Sequence, residues 1–405
     1  MLKGKNILLG VTGGIAAYKM ADVASLLTKL HADVHVVMTE NATKFIPAET
    51  FQVLTKNKVY VDVFDENTDD YVNVPHISLG TSADCVLIAP ATANVIGKLA
   101  NGIADDMVTT TVLPARCPIL VAPSMNVYML ENPIVQDNIE KLKRFGFEII
   151  EPDDGHLACG YDGKGKLPQP EILVQHIVYA CAKDKDLKGK KVLIDAGPTQ
   201  EAIDPVRYIT NHSSGKMGYA LARVAAMRGA EVTLVSGPVQ LDTPIGVKRI
   251  DVITAAEMYD AMVKESYNAD IVIMSAAVAD FTPATVADNK IKKGDGEGMS
   301  IPLNRTADIL KTLGEKKASG EKDMILVGFS METENLVENS RKKLTSKNAD
   351  MICANSLTTE GAGYQVDTNI VTIITKDDTI QLPLMSKDDV ADSIFDAVID
   401  GFGIE

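Results

Sequence analysis

The chain has 405 residues and a formal charge of −15. That length exceeds what one hydrophobic core usually serves, and that charge opposes long-range attraction to nucleic acid or anionic membrane. Hydrophobic residues make up 46% and charged residues 23%, as in globular domains, and the five cysteines (Cys85, Cys117, Cys159, Cys181, Cys353) show no CxxC pair or zinc-type spacing, so free thiols in a reducing cytoplasm are expected.

The first element follows Leu-Lys-Gly-Lys at 2–5. The apolar stretch after it resembles a short signal peptide, but the same tetrapeptide recurs at 187–190 before another apolar run. An export signal cannot open a domain in mid-chain, so a buried first strand is expected at both places. Continuous apolar runs at 6–11, 33–38, 84–90, 118–123 and 147–150 alternate with helical patterns, which predicts strands covered on both faces in a parallel sheet. From 151 to 170 the sequence EPDDGHLACGYDGKGKLPQP is too rich in Gly, Pro and Asp for a regular element and too long for a connector; a functional flap is expected. A helix over 171–181 and a charged linker at 183–190 place the domain boundary, giving domains 1–186 and 187–405. The second half repeats the plan with runs at 191–197, 231–237, 270–276, 324–330 and 350–355, then a hairpin over 369–384 and a last helix. No apolar run is long enough to span a bilayer. The expected fold is α/β, with two Rossmann-like doubly wound domains.

In the first half, GVTGGIAAYK (10–19) lies where the first strand meets the first helix, so the backbone around Gly13, Gly14 and Ile15 could hold a phosphate. The stretch lacks the full GxGxxG fingerprint and the P-loop Lys-Ser/Thr, and a plain tight turn explains it equally well. Three further segments end predicted strands: MTENATKFI with Thr39 and Asn41, PATAN with Thr92, Ala93 and Asn94, and APSMN with Ser124. Their neutral amides and hydroxyls replace the ribose-binding acid of an NAD site, which suits a cofactor with a single phosphate.

GGIAAYK, PATAN, GIADD, PxMN and ACGxxGxG together resemble the homo-oligomeric flavin-containing cysteine decarboxylases. With a second domain attached, the chain resembles the bifunctional phosphopantothenoylcysteine decarboxylase / phosphopantothenate-cysteine ligases of coenzyme A synthesis. Taken singly, His76 reads as a loop residue, Asn126 as a helix cap and Cys159 as a small buried hydrophobe. The resemblance implies instead an FMN site, His76 as active-site base, Asn126 holding the substrate carboxylate and Cys159 protonating an enethiolate. An N-acylcysteine has no built-in electron sink for decarboxylation; hydride transfer from the carbon bearing sulfur creates one as a thioaldehyde. The sequence departs from the family pattern at Leu130, where Trp is usual, and at Lys166-Leu167 on the flap, where Arg-Met is common.

In the second half, AGPTQEAIDPVRYITNHSSGKMG (196–218) carries two Gly-rich stretches suited to phosphoryl groups, a pattern that equally suits a dehydrogenase. KIKK (290–293) and RKKLTSK (341–347) read first as solvated charged faces, yet they concentrate cations in an acidic chain. The assembly resembles the CTP-dependent ligase domain. That resemblance implies a CTP site at Met274, Ser275, Ala276, Asp280, Lys290, Ala307, Asp308, Ile309, Leu310, Phe329, Lys343 and Lys347, with Asn211 acting on an acyl-cytidylate and KIKK on a closing flap. Ser330-Met331 replaces the usual Ala-Ala. Implied substrates are 4'-phosphopantothenate, L-cysteine and CTP, with Mg2+ offsetting phosphate charge; metal ligands are unassigned. Trimeric contacts between flavin domains and dimeric contacts between ligase domains are expected. The rival readings are a pair of NAD(P) reductase domains and a non-catalytic flavoprotein regulator.

Overall fold

The computed structural model describes residues 2–64, 74–156, 160–182, 185–292, 300–332, 335–356 and 366–404. Its contacts divide the chain into two compact units, Met1–Ala182 and Lys183–Glu405.

The first unit runs β1 (Asn6–Val11), α1 (Lys19–Lys29), β2 (Asp33–Met38), α2 (Ala48–Thr55), β3 (Val59–Tyr60), α3 (Pro75–Ser82), β4 (Cys85–Ala91), α4 (Ala93–Ala100), α5 (Met107–Val112), β5 (Ile119–Pro123), α6 (Val127–Leu130), α7 (Pro133–Arg144), β6 (Glu148–Ile149), β7 (Asp153–His156), β8 (Asp162–Lys166) and α8 (Pro170–Cys181). The sheet order is β3-β2-β1-β4-β5-β6, and its pairings are parallel. The expected strands are therefore present, and every residue of β4 is buried, as its unbroken apolar run requires. Apolar clusters lie on both faces, one around Leu9, Met20 and Phe51, the other around Ile88, Ile96 and Val108. The chain reverses direction across the sheet between β1 and β4, which opens a crevice at their carboxyl ends.

The flap differs from expectation. Instead of an irregular segment it contains an antiparallel hairpin, β7 with β8. Gly155, Gly163 and Gly165 have φ near +150°, a conformation barred to residues with a Cβ, so the glycines that argued against regular structure are what permit this ladder.

The second unit runs β9 (Lys191–Ala196), β10 (Gln200–Ala202), β11 (Tyr208–Thr210), α9 (Lys216–Met227), β12 (Glu231–Ser236), β13 (Val247–Asp251), α10 (Ala255–Ser266), β14 (Ile271–Met274), β15 (Phe281–Pro283), β16 (Leu303–Arg305), α11 (Ile309–Ala318), β17 (Ile325–Glu332), α12 (Leu336–Ser346), β18 (Met351–Ser356), β19 (Thr368–Asn369), β20 (Val371–Thr375), β21 (Thr379–Gln381), β22 (Met385–Ser386) and α13 (Lys387–Phe402). Its main sheet has the order β13-β12-β9-β14-β17-β18-β20-β21. Strands β13 to β18 are parallel, and β20 and β21 add an antiparallel edge, the expected hairpin. Here the reversal falls between β9 and β14. Three short ribbons, β10 with β11, β15 with β16 and β19 with β22, stand outside this sheet and were not anticipated.

Candidate active sites

The first candidate site is the carboxyl edge of the first sheet. After β1 the chain turns at Gly13, where an added Cβ would lie 2.5 Å from the Cβ of Asn41. Only glycine lets the loops after β1 and β2 approach so closely. Thr12 links the neighbouring loop: its Oγ1 donates to the carbonyl of Pro90 at 2.5 Å and accepts the amide of Thr92 at 3.3 Å. Thr92 caps α4 by accepting the amide of Val95, which leaves the amides of Ala93 and Asn94 without intrahelical acceptors and directed at the edge. Thr39 is buried and accepts the amide of Ala42 at 3.3 Å. Ser124 donates its amide to Ala91 at 3.0 Å. The structure thus gathers Gly13, Gly14, Ile15, Thr39, Asn41, Thr92, Ala93, Asn94 and Ser124 along one edge. Exposed Ile15 and Phe45 give that edge apolar surface. Neutral donors, helix-start amides and apolar surface together fit a flavin mononucleotide, whose phosphate and ring need those two environments.

Asn126 caps α6, its Oδ1 accepting the amide of Tyr128 at 2.9 Å. The cap reading is therefore correct in geometry. The glycine hairpin is tied beside it. Met125 donates its amide to Gly165 at 3.1 Å, and Tyr128 meets Tyr161 edge-on with ring centroids 5.4 Å apart. The hairpin's exit is anchored by Lys19 of α1, a buried lysine whose Nζ donates to the carbonyl of Leu167 at 2.8 Å. Burial, and then Lys166, push its pKa below the usual lysine value. Leu130 and Leu167 are both buried and act as core packing, whereas Lys166, the other residue of the second departure, is half-buried. Cys159 lies between β7 and β8 in sequence, outside the described residues. His76 is on the first turn of α3, which is pressed onto α5 at Gly80, where a Cβ would lie 2.3 Å from the carbonyl of Thr111. Its Nδ1 is buried with no hydrogen-bond partner among the described residues, and no described contact joins it to the β1–β4 crevice.

The second candidate site is a cleft of about 780 Å³ at the reversal between β9 and β14. Asn211, Met274, Ser275, Ala276, Asp280, Ala307, Asp308, Ile309, Leu310, Phe329 and Lys343 all line it. Asn211 Nδ2 donates to the carbonyls of Ala277 and Val278 at 3.0 and 3.3 Å. Asp308 caps α11 by accepting the amide of Lys311 at 2.9 Å and also pairs with Lys347. Burial opposes its ionisation, but Lys347, that amide and Lys343 hold its pKa below the usual carboxylate value. Lys347 therefore adjoins the lining without being part of it. Lys343 donates to the carbonyl of Phe329 at 3.0 Å. Lys290 is exposed and outside the lining. Its neighbour Ile291 is gripped from both sides: Asp204 accepts the Ile291 amide at 3.1 Å, and Arg207 donates to the Ile291 carbonyl at 2.9 Å.

Several lining residues were missed. Lys216 belongs to SSGKMG, a stretch noted for its glycines, whereas Arg305, Asn355, Asn369 and Lys387 sit in segments with no motif. The available signal was Lys387 itself, a buried cation at the first position of a helix otherwise opened by acids.

Among the described residues, no helix is long and apolar enough to cross a membrane. The flavoprotein family model matches residues 1–181, and the model for the DNA/pantothenate metabolism flavoprotein C-terminal domain matches 187–402. The chain is 52% identical over 402 residues to the coenzyme A biosynthesis bifunctional protein CoaBC of Bacillus subtilis, covering 98% of this chain and 97% of that protein. It is 45% identical over 394 residues to the protein of the same name from Vibrio cholerae, covering 97% of each. It is also 48% identical over 356 residues to a cysteine/cysteine sulfinic acid decarboxylase of an unknown prokaryotic organism, covering 86% of this chain and 98% of that one. With both domain families in this order and whole-length similarity to the bacterial proteins, the chain belongs to the CoaBC family of bifunctional coenzyme A biosynthesis proteins.

Proposed function

We propose that the second unit joins 4'-phosphopantothenate to L-cysteine at the expense of CTP, and that the first unit decarboxylates the resulting 4'-phosphopantothenoylcysteine to 4'-phosphopantetheine with FMN. The observation that carries the ligase reading is the cleft, which places lysines 216, 343 and 387 and the start of α9 around one volume in an otherwise acidic protein. A carboxylate acylates poorly, so attack on the α-phosphate of CTP would give an acyl-cytidylate and pyrophosphate, and the amine of cysteine would then displace CMP. Lysines and Mg2+ offset the phosphate charge. Asn211, fixed on the carbonyls after β14, is assigned to the acyl-cytidylate.

In the first unit, Gly13–Ile15, Thr39, Asn41, Thr92–Asn94 and Ser124 are assigned to FMN, which supplies a two-electron acceptor restored within each turnover. Asn126 orients the substrate carboxylate, His76 serves as base, and Cys159 returns the proton to the enethiolate. The order of the units suits the chemistry, because the ligase makes the N-acylcysteine that the flavin route needs. The protein is placed in the cytoplasm, in a homo-oligomer with trimeric flavin-domain and dimeric ligase-domain contacts.

Purified protein should be yellow with an FMN-type spectrum, and sustained pyrophosphate release should require CTP, phosphopantothenate and cysteine together, because without cysteine the reaction halts at the acyl-cytidylate after one turnover. Colourless protein after gentle purification, or multiple-turnover pyrophosphate release without cysteine, would refute the assignment. Cys159→Ser should stop turnover after CO2 loss, at the enethiolate, and leave the ligase intact. Lys19→Met should retain flavin yet lose about tenfold or more in decarboxylation, because a buried carbonyl loses its charged donor and the flap its anchor. Full decarboxylase activity in that variant would show that Lys19 serves packing alone.

A further inference from the structure

Asp195 interrupts the apolar run of β9 and is fully buried. Its Oδ1 accepts the amides of Ser275 and of Ala276, the latter at 2.7 Å, while its Oδ2 has no partner among the described residues. Ser275 in turn donates its hydroxyl to the carbonyl of Asp195 at 2.5 Å. One carboxylate thus holds two successive residues that wall the cleft, and half of it is left unsatisfied in the protein interior. Such an arrangement is costly for a charged group and serves no packing purpose that Thr or Val would not serve.

We propose that Asp195 is a proton-linked positioning residue of the nucleotide cleft: its buried carboxylate holds the Ser275–Ala276 wall and gains a proton when a polyanionic nucleotide enters. The proposal rests on the nucleotide reading of the cleft. Burial pushes the Asp195 carboxyl up to about 7, against the opposing pull of the amides of Ala276 and Ser275. The elements packed on β9 bring few charges toward it. Strand β14 carries none, and β12 has Glu231 at its far end, opposite Lys191 in the strand register. Helix α9 brings Lys216, Arg223 and Tyr219, the last bonded to Ser236. Helix α10 brings Glu257, which accepts the amides of Ile253 and Thr254, with Asp260, Lys264 and Glu265. The loop after β14 brings Asp280, and strand β10 brings the buried Glu201, which accepts the amide of Ala255. None of these charges sets the shift, which is governed by burial and the amides.

A triphosphate a few residues away adds negative charge to that environment, and Coulomb repulsion raises the carboxyl's proton affinity further. The sign follows. With the bound-state pKa above the free-state value near 7, affinity is full below 7. It is lost as pH rises through the bound-state value, by roughly three- to tenfold. The test is calorimetric titration of the whole protein with CTP and Mg2+ across pH 6 to 9, in PIPES and in Tris, whose different ionisation heats report proton uptake. Wild type should take up a larger fraction of a proton near pH 7 to 7.5 than Asp195→Asn, whose isosteric amide keeps an oxygen for the two amides but cannot titrate. Asp195→Ser provides a second non-titrating variant should the amide fail to fold. Protons gained by the nucleotide phosphates are common to all three and cancel in the difference. Equal proton uptake in wild type and a folded variant, with CTP still bound, overturns the role of Asp195 alone. No CTP binding by wild type overturns the cleft's assignment and this proposal with it.

Discussion

Arg228→Met is expected to lower the unfolding free energy of the second unit by about 2–3 kcal/mol, seen as a lower urea midpoint at unchanged slope. Arg228 ends α9 with only 9% of its surface exposed. Its Nε donates to Asp186 at 3.0 Å, and one terminal nitrogen donates to Asp392 and Asp396 of α13 at 3.0 and 2.7 Å. Its own carbonyl accepts the amide of Leu187 at 3.0 Å. One guanidinium thus fastens the first turn of the unit and its last helix to α9. Burial works against the charge, yet the bonds to Asp186 and Asp396 hold its proton more tightly than usual. Methionine keeps much of the volume but leaves three clustered carboxylates without their cation. Because Asp392 and Asp396 keep about 60% of their side-chain surface in water, part of that cost is screened, hence a value below the usual penalty for breaking a fully buried pair. Arg228→Lys should recover less than half of the loss, since an ammonium cannot span three acceptors as the planar fork does. A methionine variant within 0.5 kcal/mol of wild type would show that helix packing alone holds the unit's ends.

The strands that frame both sites were legible because they are buried on both faces, and their apolar runs have no other explanation. β1 and β2 begin and end where 6–11 and 33–38 were drawn. Strand β13, with the sequence VKRID, was not, because an edge strand need bury only part of its surface and none of this one's residues is fully buried. The β7–β8 hairpin was hidden for a different reason. Glycine and aspartate signal a loop statistically, but here glycine supplies backbone angles that let a ladder form beside Asn126. The lining of the cleft at the β9–β14 reversal was largely legible because its motifs end strands, whereas Lys387, Asn355 and Asn369 reach it from segments far apart in sequence. Asp195 carries no motif at all. Its one signal was a carboxylate placed where the pattern demanded an apolar residue, and only the structure shows that it faces two backbone amides.

Gly218→Ala should lower stability by about 2–3 kcal/mol and ligase kcat/KM by more than tenfold, while leaving the flavin spectrum of the first unit unchanged. Gly218 lies in the first turn of α9, where the helix crosses β9 at the mouth of the cleft. A Cβ there would stand 2.5 Å from the Cβ of Ala196, 2.7 Å from Ser275 Oγ and 2.8 Å from the carbonyl of Asp195. None of these neighbours is the far end of a flexible chain, so relief requires moving the helix or the strand. Moving α9 outward displaces the Ser213–Gly215 approach and Lys216, and disturbing Ser275 strains the wall that Asp195 secures; both effects fall on the lining of the same volume. Helix propensity alone predicts the reverse sign, because alanine is favoured over glycine within a helix by about 1 kcal/mol. Gly401→Ala, on α13 with no atom within 4 Å of the new Cβ, isolates that propensity and should leave stability equal or slightly raised. A Gly218→Ala protein as stable and active as wild type would mean that α9 can shift away from β9 without consequence, and that close approach at this crossing is not what shapes the cleft.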